Sequence, residues 1–128
     1  MIHLRNATDD DLRFVRASWV RSFWEHGGYE APSYKLYMDH MPKLVERALQ
    51  HAYVQVAAFD SAPTEVLAWA CGLEQMLFWA YTKKDFRQQG LQRKLCAGLQ
   101  QYVIKPRLRA GKALVRNMSY NPFVMMEL

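Results

Sequence analysis

The residues best suited to bind an anionic group lie between Thr82 and Leu91, where an apolar run is followed by a polar turn and then an amphipathic segment. The first amides of a helix have no partner within the helix and carry partial positive charge, so they bind phosphate well. Gly90 removes a side chain where a pyrophosphate would approach the backbone. The alternative is an ordinary strand–helix turn with a solvated basic face. Five cationic residues surround the turn: Lys83, Lys84, Arg87, Arg93 and Lys94.

Other residues that could do chemistry are dispersed along the chain. The histidines lack the spacing of metal ligands, so we interpret them as surface or cap residues, and we predict no metal site. The two cysteines do not form a metal-type pair and are too few for a disulfide framework, so buried free thiols are expected. These residues are His3, His26, His40, His51, Cys71 and Cys96.

Size and charge limit the classes of function. The 128 residues suit one domain, and the 51% hydrophobic content is enough for a core. The net charge of +5 favours an anionic partner, such as a phosphorylated cofactor, a nucleic acid or an acidic protein. We recognise no nucleic-acid-binding motif, so nucleic acid is disfavoured. No run of about 18 apolar residues predicts a membrane span, and no signal peptide is recognised, so a cytoplasmic protein is expected.

Capping residues and helical spacing predict two helices in the first half, after a short strand over residues 2–5. Thr8 is suited to cap the first helix, with aspartates in the first turn. Ser33 is suited to cap the second, which we expect to be interrupted near Pro42 and to resume over residues 44–49. The apolar positions of the first helix are Leu12, Val15, Trp19 and Phe23.

The second half predicts strands over residues 53–59, 66–71 and 76–82. The third is nearly continuously apolar, as expected for a central strand covered on both faces. A helix should follow, ended or bent by Pro106, and then a last strand over residues 112–117. This order indicates an α+β fold. The apolar face of the predicted helix consists of Leu91, Leu95, Leu99 and Tyr102.

The turn at residues 87–92, with the sequence Arg-Gln-Gln-Gly-Leu-Gln, resembles the Arg/Gln-x-x-Gly-x-Gly/Ala motif of the GNAT acetyltransferases. Phe86, an aromatic residue just before the arginine, is also common in that family. Residues 2–12 resemble the family's first strand and helix cap, so the resemblance covers residues 1–117. The compact size and residues 18–22 and 120–123 are similar to short members found in bacteriophages.

The resemblance implies one domain over residues 1–128, with a mixed, mostly antiparallel central sheet flanked by helices and a shortened C-terminal part. It implies an acetyl-CoA-dependent N-acetyltransferase that acts on a primary amine of a small molecule or protein. Backbone amides of the central strand would hold the acetyl and pantetheine groups, and those of the turn would hold the pyrophosphate. The implied cofactor-binding residues are Ala80, Tyr81, Thr82, Arg87, Gln88, Gln89, Gly90, Leu91, Gln92 and Asn117.

The resemblance also suggests three catalytic candidates, each with a structural alternative. Glu74 stands near the start of the central strand, where family members often place the base, but it also suits a solvated turn. Tyr81 is a candidate acid or substrate-orienting group, although a tyrosine in a strand more often belongs to the core. Tyr120 could supply the acid, but the Asn121-Pro122 pair that follows suggests a structural turn.

The chain departs from the family pattern at two places. The sixth motif position is Gln92, whose side chain could crowd the pyrophosphate or hydrogen-bond it. The chain also ends soon after the predicted strand at 112–117, where typical members continue through another helix and two strands. The alternative function is therefore a weakly active or inactive GNAT-fold module that binds a host protein, or that dimerises through its sheet edge.

Overall fold

A computed structural model describes residues 1–26, 33–107 and 109–123. Six strands form one sheet in the order β1-β2-β3-β4-β5-β6; β1 to β4 are antiparallel, whereas β4, β5 and β6 run parallel. The expected mixed sheet with flanking helices is confirmed. The elements are β1 (Ile2–Asn6), α1 (Asp9–His26), α2 (Tyr34–His51), β2 (Tyr53–Phe59), β3 (Ala68–Leu73), β4 (Met76–Thr82), α3 (Leu91–Leu95), β5 (Gln101–Tyr102), α4 (Arg109–Leu114) and β6 (Ser119–Tyr120).

Helices cover both faces of the sheet. Large side chains of α1 and α2, among them Trp19 and Val45, pack on one face against Trp69 and Trp79. The face toward α3 and α4 carries small strand residues instead, so that the helices approach the backbone closely. These small residues are Ala57, Ala68, Ala70 and Ala80.

Two serines of α1 hold that helix on the sheet. Ser18 and Ser22 lie one turn apart and both are buried. The indole Nε1 of Trp69 donates to Ser18 Oγ at 2.8 Å, and that of Trp79 donates to Ser22 Oγ at 2.9 Å. Buried indole N–H groups need acceptors, so these bonds determine how α1 crosses β3 and β4.

The start of α1 depends on Asp11 rather than on the hydroxyl of Thr8. Thr8 precedes the helix as predicted, but its Oγ1 donates to the Asp11 carboxylate at 3.1 Å, and its N–H does so at 2.7 Å. Arg5 of β1 donates to both carboxylate oxygens, at 2.6 and 3.1 Å. The buried carboxylate therefore joins the first strand to the first helix.

The second helix corrects one prediction and confirms another. Ser33 is its N-cap, because Ser33 Oγ accepts a hydrogen bond from the N–H of Leu36 at 3.1 Å. The predicted interruption near Pro42 is wrong, since α2 runs unbroken past it. Buried Met41 and Val45 pack on the sheet on either side of the proline, and this packing offsets the lost backbone bond.

The helix predicted to run toward Pro106 is wrong in length. It ends at Leu95, and Gly98 then adopts a left-handed φ of 85°. The N–H groups of Gln100 and Gln101 bind the carbonyl of Gln75, which begins β5 beside β4. Two apolar positions of the predicted helical face still pack in the core, but from a turn and a strand: Leu99 and Tyr102.

The strand predicted over residues 112–117 is also wrong. That part of the chain forms the end of α4 and a turn, and the last strand is β6. Leu114 and Val115 pack on the α3 side of the sheet, so a short apolar run predicted as a strand belongs to a helix end. Residues 124–128, the apolar end of the chain, lie outside the described residues.

We predict that Asp11→Asn lowers the free energy of unfolding at pH 7 by about 2 kcal/mol. Removing one partner of a buried ion pair usually costs about 3–5 kcal/mol, and the partial exposure of Arg5 reduces this. Asp10→Asn, in the same turn but exposed, is the control and should change it by less than about 0.5 kcal/mol. Urea unfolding measures both.

The same variants predict a pH dependence. The hydrogen bond from Arg5 lowers the pKa of Asp11 below its ordinary value, against the effect of burial. Such a carboxyl stabilises the fold above its unfolded pKa of about 3.9, and this stability is lost as pH falls through the folded pKa. The difference between the wild type and Asp11→Asn should therefore be full near pH 6 and shrink below about pH 4. A difference that stays constant down to pH 2 would contradict the assignment.

Candidate functional site

β4 and β5 are paired only at their beginnings. Met76 pairs with Gln101 and Leu77 with Tyr102, and the last bond joins the N–H of Val103 to the Leu77 carbonyl at 3.0 Å. Beyond this point β4 and β5 diverge and leave a V-shaped gap between them, which we call the V. The divergence coincides with an irregularity in the pairing of β3 with β4.

That irregularity is a β-bulge. Gly72 faces Leu77 and Cys71 faces Trp79, so Phe78 has no opposite residue in β3. A bulge bends its strand and increases the local twist. Phe78 and Trp79 consequently both enter the core under α1. The bulge thus turns β4 away from β5 at the point where their pairing ends.

A cleft of about 570 Å³ occupies the opening between the two strands. One wall is β4, a second is the turn before α3 with the start of that helix, and a third is the segment after β5 with α4. The end of α1 lines it from the other face of the sheet. The lining consists of Ser22, His26, residues 77–82, 86–88, 90–93, Ile104, Pro106, residues 109–111 and residues 113–115.

The β4 backbone presents hydrogen-bonding groups to this cleft. The N–H of Lys83 donates to the Leu67 carbonyl at 2.9 Å, so these two residues form a hydrogen-bonded pair. Because such pairs alternate along an antiparallel ladder, the N–H and C=O groups of Ala80 and Thr82 point away from β3. They point into the V. Of the three predicted strand amides, that of Tyr81 points toward β3 instead.

The side chain of Tyr81 lines the cleft and also packs in the core. Its ring lies 6.0 Å from Phe14 of α1, edge to face, and 6.4 Å from Trp69. The ring is partly buried. The Tyr81 side chain therefore belongs to the core and to the cleft lining at the same time.

The turn before α3 is open toward the cleft. Gln88 and Gly90 adopt left-handed φ angles of 64° and 77°, and Gly90 precedes the first residue of α3. A Cβ added at Gly90 would meet nothing within 4 Å. Arg87 is held against β4 because its Nε donates to the Thr82 carbonyl at 3.0 Å. Since α3 has only five residues, individual backbone amides rather than a long helix dipole make this turn suited to an anion.

Most of the predicted turn residues line the cleft, with one exception. Arg87, Gln88, Gly90, Leu91 and Gln92 do so. Gln89 is exposed, and its side-chain amide approaches the Asp85 carbonyl at 3.5 Å.

The side chain of Gln92 turns toward the sheet. Its Nε2 donates to the Tyr81 carbonyl and Thr82 Oγ1, each at 2.9 Å, and to the Trp69 carbonyl at 3.2 Å. The sulfur of Cys96 lies 3.7 Å from its Oε1. The amide therefore ties the first turn of α3 to the ends of β3 and β4. It is committed to these protein groups and points away from the turn that would hold a pyrophosphate.

The cationic residues around the turn divide into two groups. Arg87 and Arg93 line the cleft, and Arg109 of α4 adds a third cation from the opposite wall. Lys83 points elsewhere: its Nζ lies 3.6 Å from the Glu65 carboxylate and 5.1 Å from the centre of the Phe14 ring. The two remaining cations predicted there are not among the cleft residues: Lys84 and Lys94.

The other predicted site residues lie outside the cleft lining. Glu74 is exposed in the β3–β4 turn with a φ of 56°, roughly 25 Å along β4 from Thr82. Tyr120 is exposed in β6, beside the Tyr102 ring at 5.3 Å and under Lys105 Nζ at 4.7 Å. Asn117 was expected at the end of a strand, but it lies in the exposed turn after α4.

The cleft also contains residues that the sequence did not indicate. His26 was expected to be a surface or cap residue, yet it lines the cleft together with Ser22. The distance in sequence between α1 and the turn hid this, because only the packing of α1 on β4 brings the two to the same cleft. From the segment after β5, Ile104 and Pro106 add apolar surface.

The buried cysteines are free thiols, as expected. Burial raises the pKa of Cys71, and it raises the pKa of Cys96 to about 12, so neither thiol ionises near neutral pH. Across the described ranges, we find no group of three or more His, Cys, Asp or Glu side chains that could hold a metal ion. No helix in the described part of the chain is long and apolar enough to cross a membrane.

Two solved structures illustrate the likeness of this fold to known ones. A possible acetyltransferase from Clostridium difficile 630 aligns with a TM-score of 0.52 and 22% identity over 74% of this chain. The apo form of YjaB from Escherichia coli aligns with the same TM-score, 20% identity and 74% coverage. The chain spans 66% and 61% of the length of those two proteins. No protein-family model matches the chain, and no curated protein matches it in sequence. The expected GNAT-like fold is confirmed.

We predict that Gln92→Leu lowers the free energy of unfolding by about 1–3 kcal/mol, because buried polar groups of β3 and β4 lose a donor. Gln89→Leu is the matched control, since Gln89 is exposed in the same turn and should change it by less than about 0.5 kcal/mol. Hydrogen exchange should also show faster opening of the amides at residues 90–95 in Gln92→Leu only. Equal stability and equal exchange in the two variants would show that the Gln92 amide does not tie α3 to the sheet.

Proposed function

We propose that this chain is an acetyl-CoA-dependent N-acetyltransferase that acts as a single domain on a primary amine. The observation that carries the proposal is the V between β4 and β5, in which backbone hydrogen-bonding groups at Ala80 and Thr82 face a cleft that leads to the turn at residues 87–92. An extended ligand with amide groups fits this edge of β4, because it can form the backbone hydrogen bonds that β5 does not form beyond Leu77.

The cleft also fits the charged part of acetyl-CoA. The turn is open at Gly90, where a side chain is absent and the space beyond is clear. Arg87 and Arg93 stand beside it, and Arg109 stands across the cleft. A pyrophosphate bound at the amides of residues 88–92 would therefore be close to several positive charges. Because Gln92 points its amide into the sheet, the side chain at the sixth motif position leaves this space clear.

Acetyl transfer needs a polarised thioester carbonyl and a neutral amine. The N–H of Ala80, directed into the V just after the bulge, is placed to donate to the acetyl oxygen. Of the three catalytic residues predicted from the sequence, Tyr81 alone lines the cleft, and we keep it as a candidate to orient the substrate or protonate the leaving sulfur. We assign no step to Glu74 or Tyr120, since both lie away from the cleft lining.

We predict that acetyl-CoA at 100 times its Kd stabilises the protein by about 2.7 kcal/mol. For a domain of this size, that corresponds to a rise in Tm of about 10 °C. Gly90→Leu should abolish the rise, because its side chain would fill the space beside the turn amides. Gly98→Leu is the control: Gly98 has a similar φ of 85° and equally open space, but lies outside the cleft lining. Both variants carry the same backbone strain, of roughly 1–2 kcal/mol.

The same assay separates the proposal from its alternative, an inactive module that binds a host protein. Turnover of acetyl-CoA with any primary amine would exclude inactivity. No shift of the wild-type Tm at millimolar acetyl-CoA, or an equal shift in Gly90→Leu and Gly98→Leu, would refute the proposed function.

A further inference from the structure

One stripe of α1 follows β4 backwards from its end to its bulge. Phe14, Ser18, Ser22 and His26 recur every four residues, so each is the neighbour of the next along a stripe that winds slowly around the helix. Phe14 packs on Tyr81, whereas Ser22 two turns later binds the indole of Trp79. His26 is the next residue of this stripe. It therefore lies over the level of Leu77 and Phe78, where β4 and β5 part.

The segment after β5 holds His26 in this position. The N–H of Arg107 donates to the His26 carbonyl at 3.0 Å, and its guanidinium donates to the Glu25 carbonyl, also at 3.0 Å. These bonds attach the end of α1 to the segment after β5, which forms the side of the V opposite β4. The imidazole is 30% exposed and lines the cleft. It is thus accessible from solvent and from the cleft at once.

Residues on both faces of the sheet therefore line the cleft. Gly90 and Gln92 line it on the face covered by α3 and α4, whereas Ser22 and His26 line it on the face covered by α1 and α2. If acetyl-CoA occupies the side of the turn, the amine has access from the side of His26.

We infer that His26 is the general base that deprotonates the acceptor amine. The inference rests on the proposed function and adds a residue and a direction of entry to it. Among the described residues, the hydroxyl that lines the cleft beside His26 is already engaged: Ser22 Oγ accepts from Trp79 and lies 3.4 Å from the Trp19 carbonyl. His26 Nδ1 is the ring nitrogen that remains for the amine, since Nε2 faces the Glu25 carboxylate.

The step balances as follows. The neutral imidazole takes a proton from the ammonium group, R–NH₃⁺, and leaves R–NH₂. The amine lone pair then attacks the thioester carbonyl, the C–N bond forms, and the C–S bond breaks. The second proton of the nitrogen passes to the departing sulfur, which leaves as the thiol. The imidazolium returns its proton to solvent through its exposed side, and the net products are the amide, the thiol and one proton.

Charged groups from three described elements contact the end of α1 or line the same cleft as the imidazole. On α1 itself, a Glu25 carboxylate oxygen lies 3.5 Å from Nε2 and can accept the N–H of the imidazolium. Arg107, from the segment after β5, and Arg109, from α4, are the neighbouring cations. A carboxylate behind the imidazole and a substrate cleft in front form the arrangement that a general base requires.

The test compares His26→Gln with His40→Gln, a control that is exposed on α2 outside the cleft lining. The probes are acetyl-CoA and three primary amines of different chemistry: phenylethylamine, lysine amide and spermidine. We expect His26→Gln to keep the wild-type acetyl-CoA-induced rise in Tm but to lose about 100-fold in kcat/KM. His40→Gln should stay within about twofold of the wild type, because it leaves the cleft unchanged.

The pH profile supplies a second readout. Wild-type kcat/KM should rise with pH through the range in which imidazoles titrate, about pH 5 to 8, and His26→Gln should lack this rise. The inference is wrong if His26→Gln retains wild-type turnover. It is also wrong if the wild-type profile is flat in that range, and this second criterion does not depend on whether the variant folds. If the wild type binds acetyl-CoA but turns over none of the three amines, the assignment of His26 as the general base is wrong and the proposed cofactor binding still stands. A wild type that does not bind acetyl-CoA overturns the proposed function as well.

Discussion

The rest of the structure depends on the divergence of β4 from β5 after Leu77. Two paired residues on each strand are too few to hold a parallel pair together, and the bulge at Phe78 turns β4 out of the plane that β5 would need. Of the backbone groups that would have completed the ladder, the Thr82 carbonyl accepts from Arg87 Nε, and the others face the cleft. An unpaired strand edge inside a protein is costly unless something pairs with it, and the proposed function gives that role to the cofactor.

Two sets of buried hydrogen bonds hold β4 on either side of the opening. On one face, Ser18 and Ser22 bind the indoles of Trp69 and Trp79, and so fix α1 to β3 and β4. On the other face, the Gln92 amide binds oxygens of both strands. Small alanines on that face leave room for this amide. A residue that departs from the motif at the sixth position thereby stabilises the turn instead of obstructing it.

The central part of the fold could be predicted from the sequence because its signals are local. The apolar run at residues 76–82 matches β4, and Gly90 stands at the start of the helix that follows the turn. The C-terminal part could not be predicted. Leu99 and Tyr102 have helical spacing but are buried from a turn and a short strand, and the run at 112–117 is mostly the end of α4. In both segments the apolar spacing correctly predicted that the residues are buried, but it did not predict their secondary structure.

The candidate site likewise has one part that could be predicted from the sequence and one part that could not. The turn residues follow from a motif, whereas His26 reaches the cleft because α1 packs on β4, a tertiary contact that no spacing within the sequence reveals. The central claim is that acetyl-CoA lies in the V between β4 and β5. A crystal structure with saturating acetyl-CoA tests it most directly. The account predicts density for the pantetheine arm beside the backbone of Ala80 and Thr82, and for the pyrophosphate at the amides of residues 88–92. Density for the cofactor elsewhere, or a cleft that stays empty at saturating concentration, would contradict it.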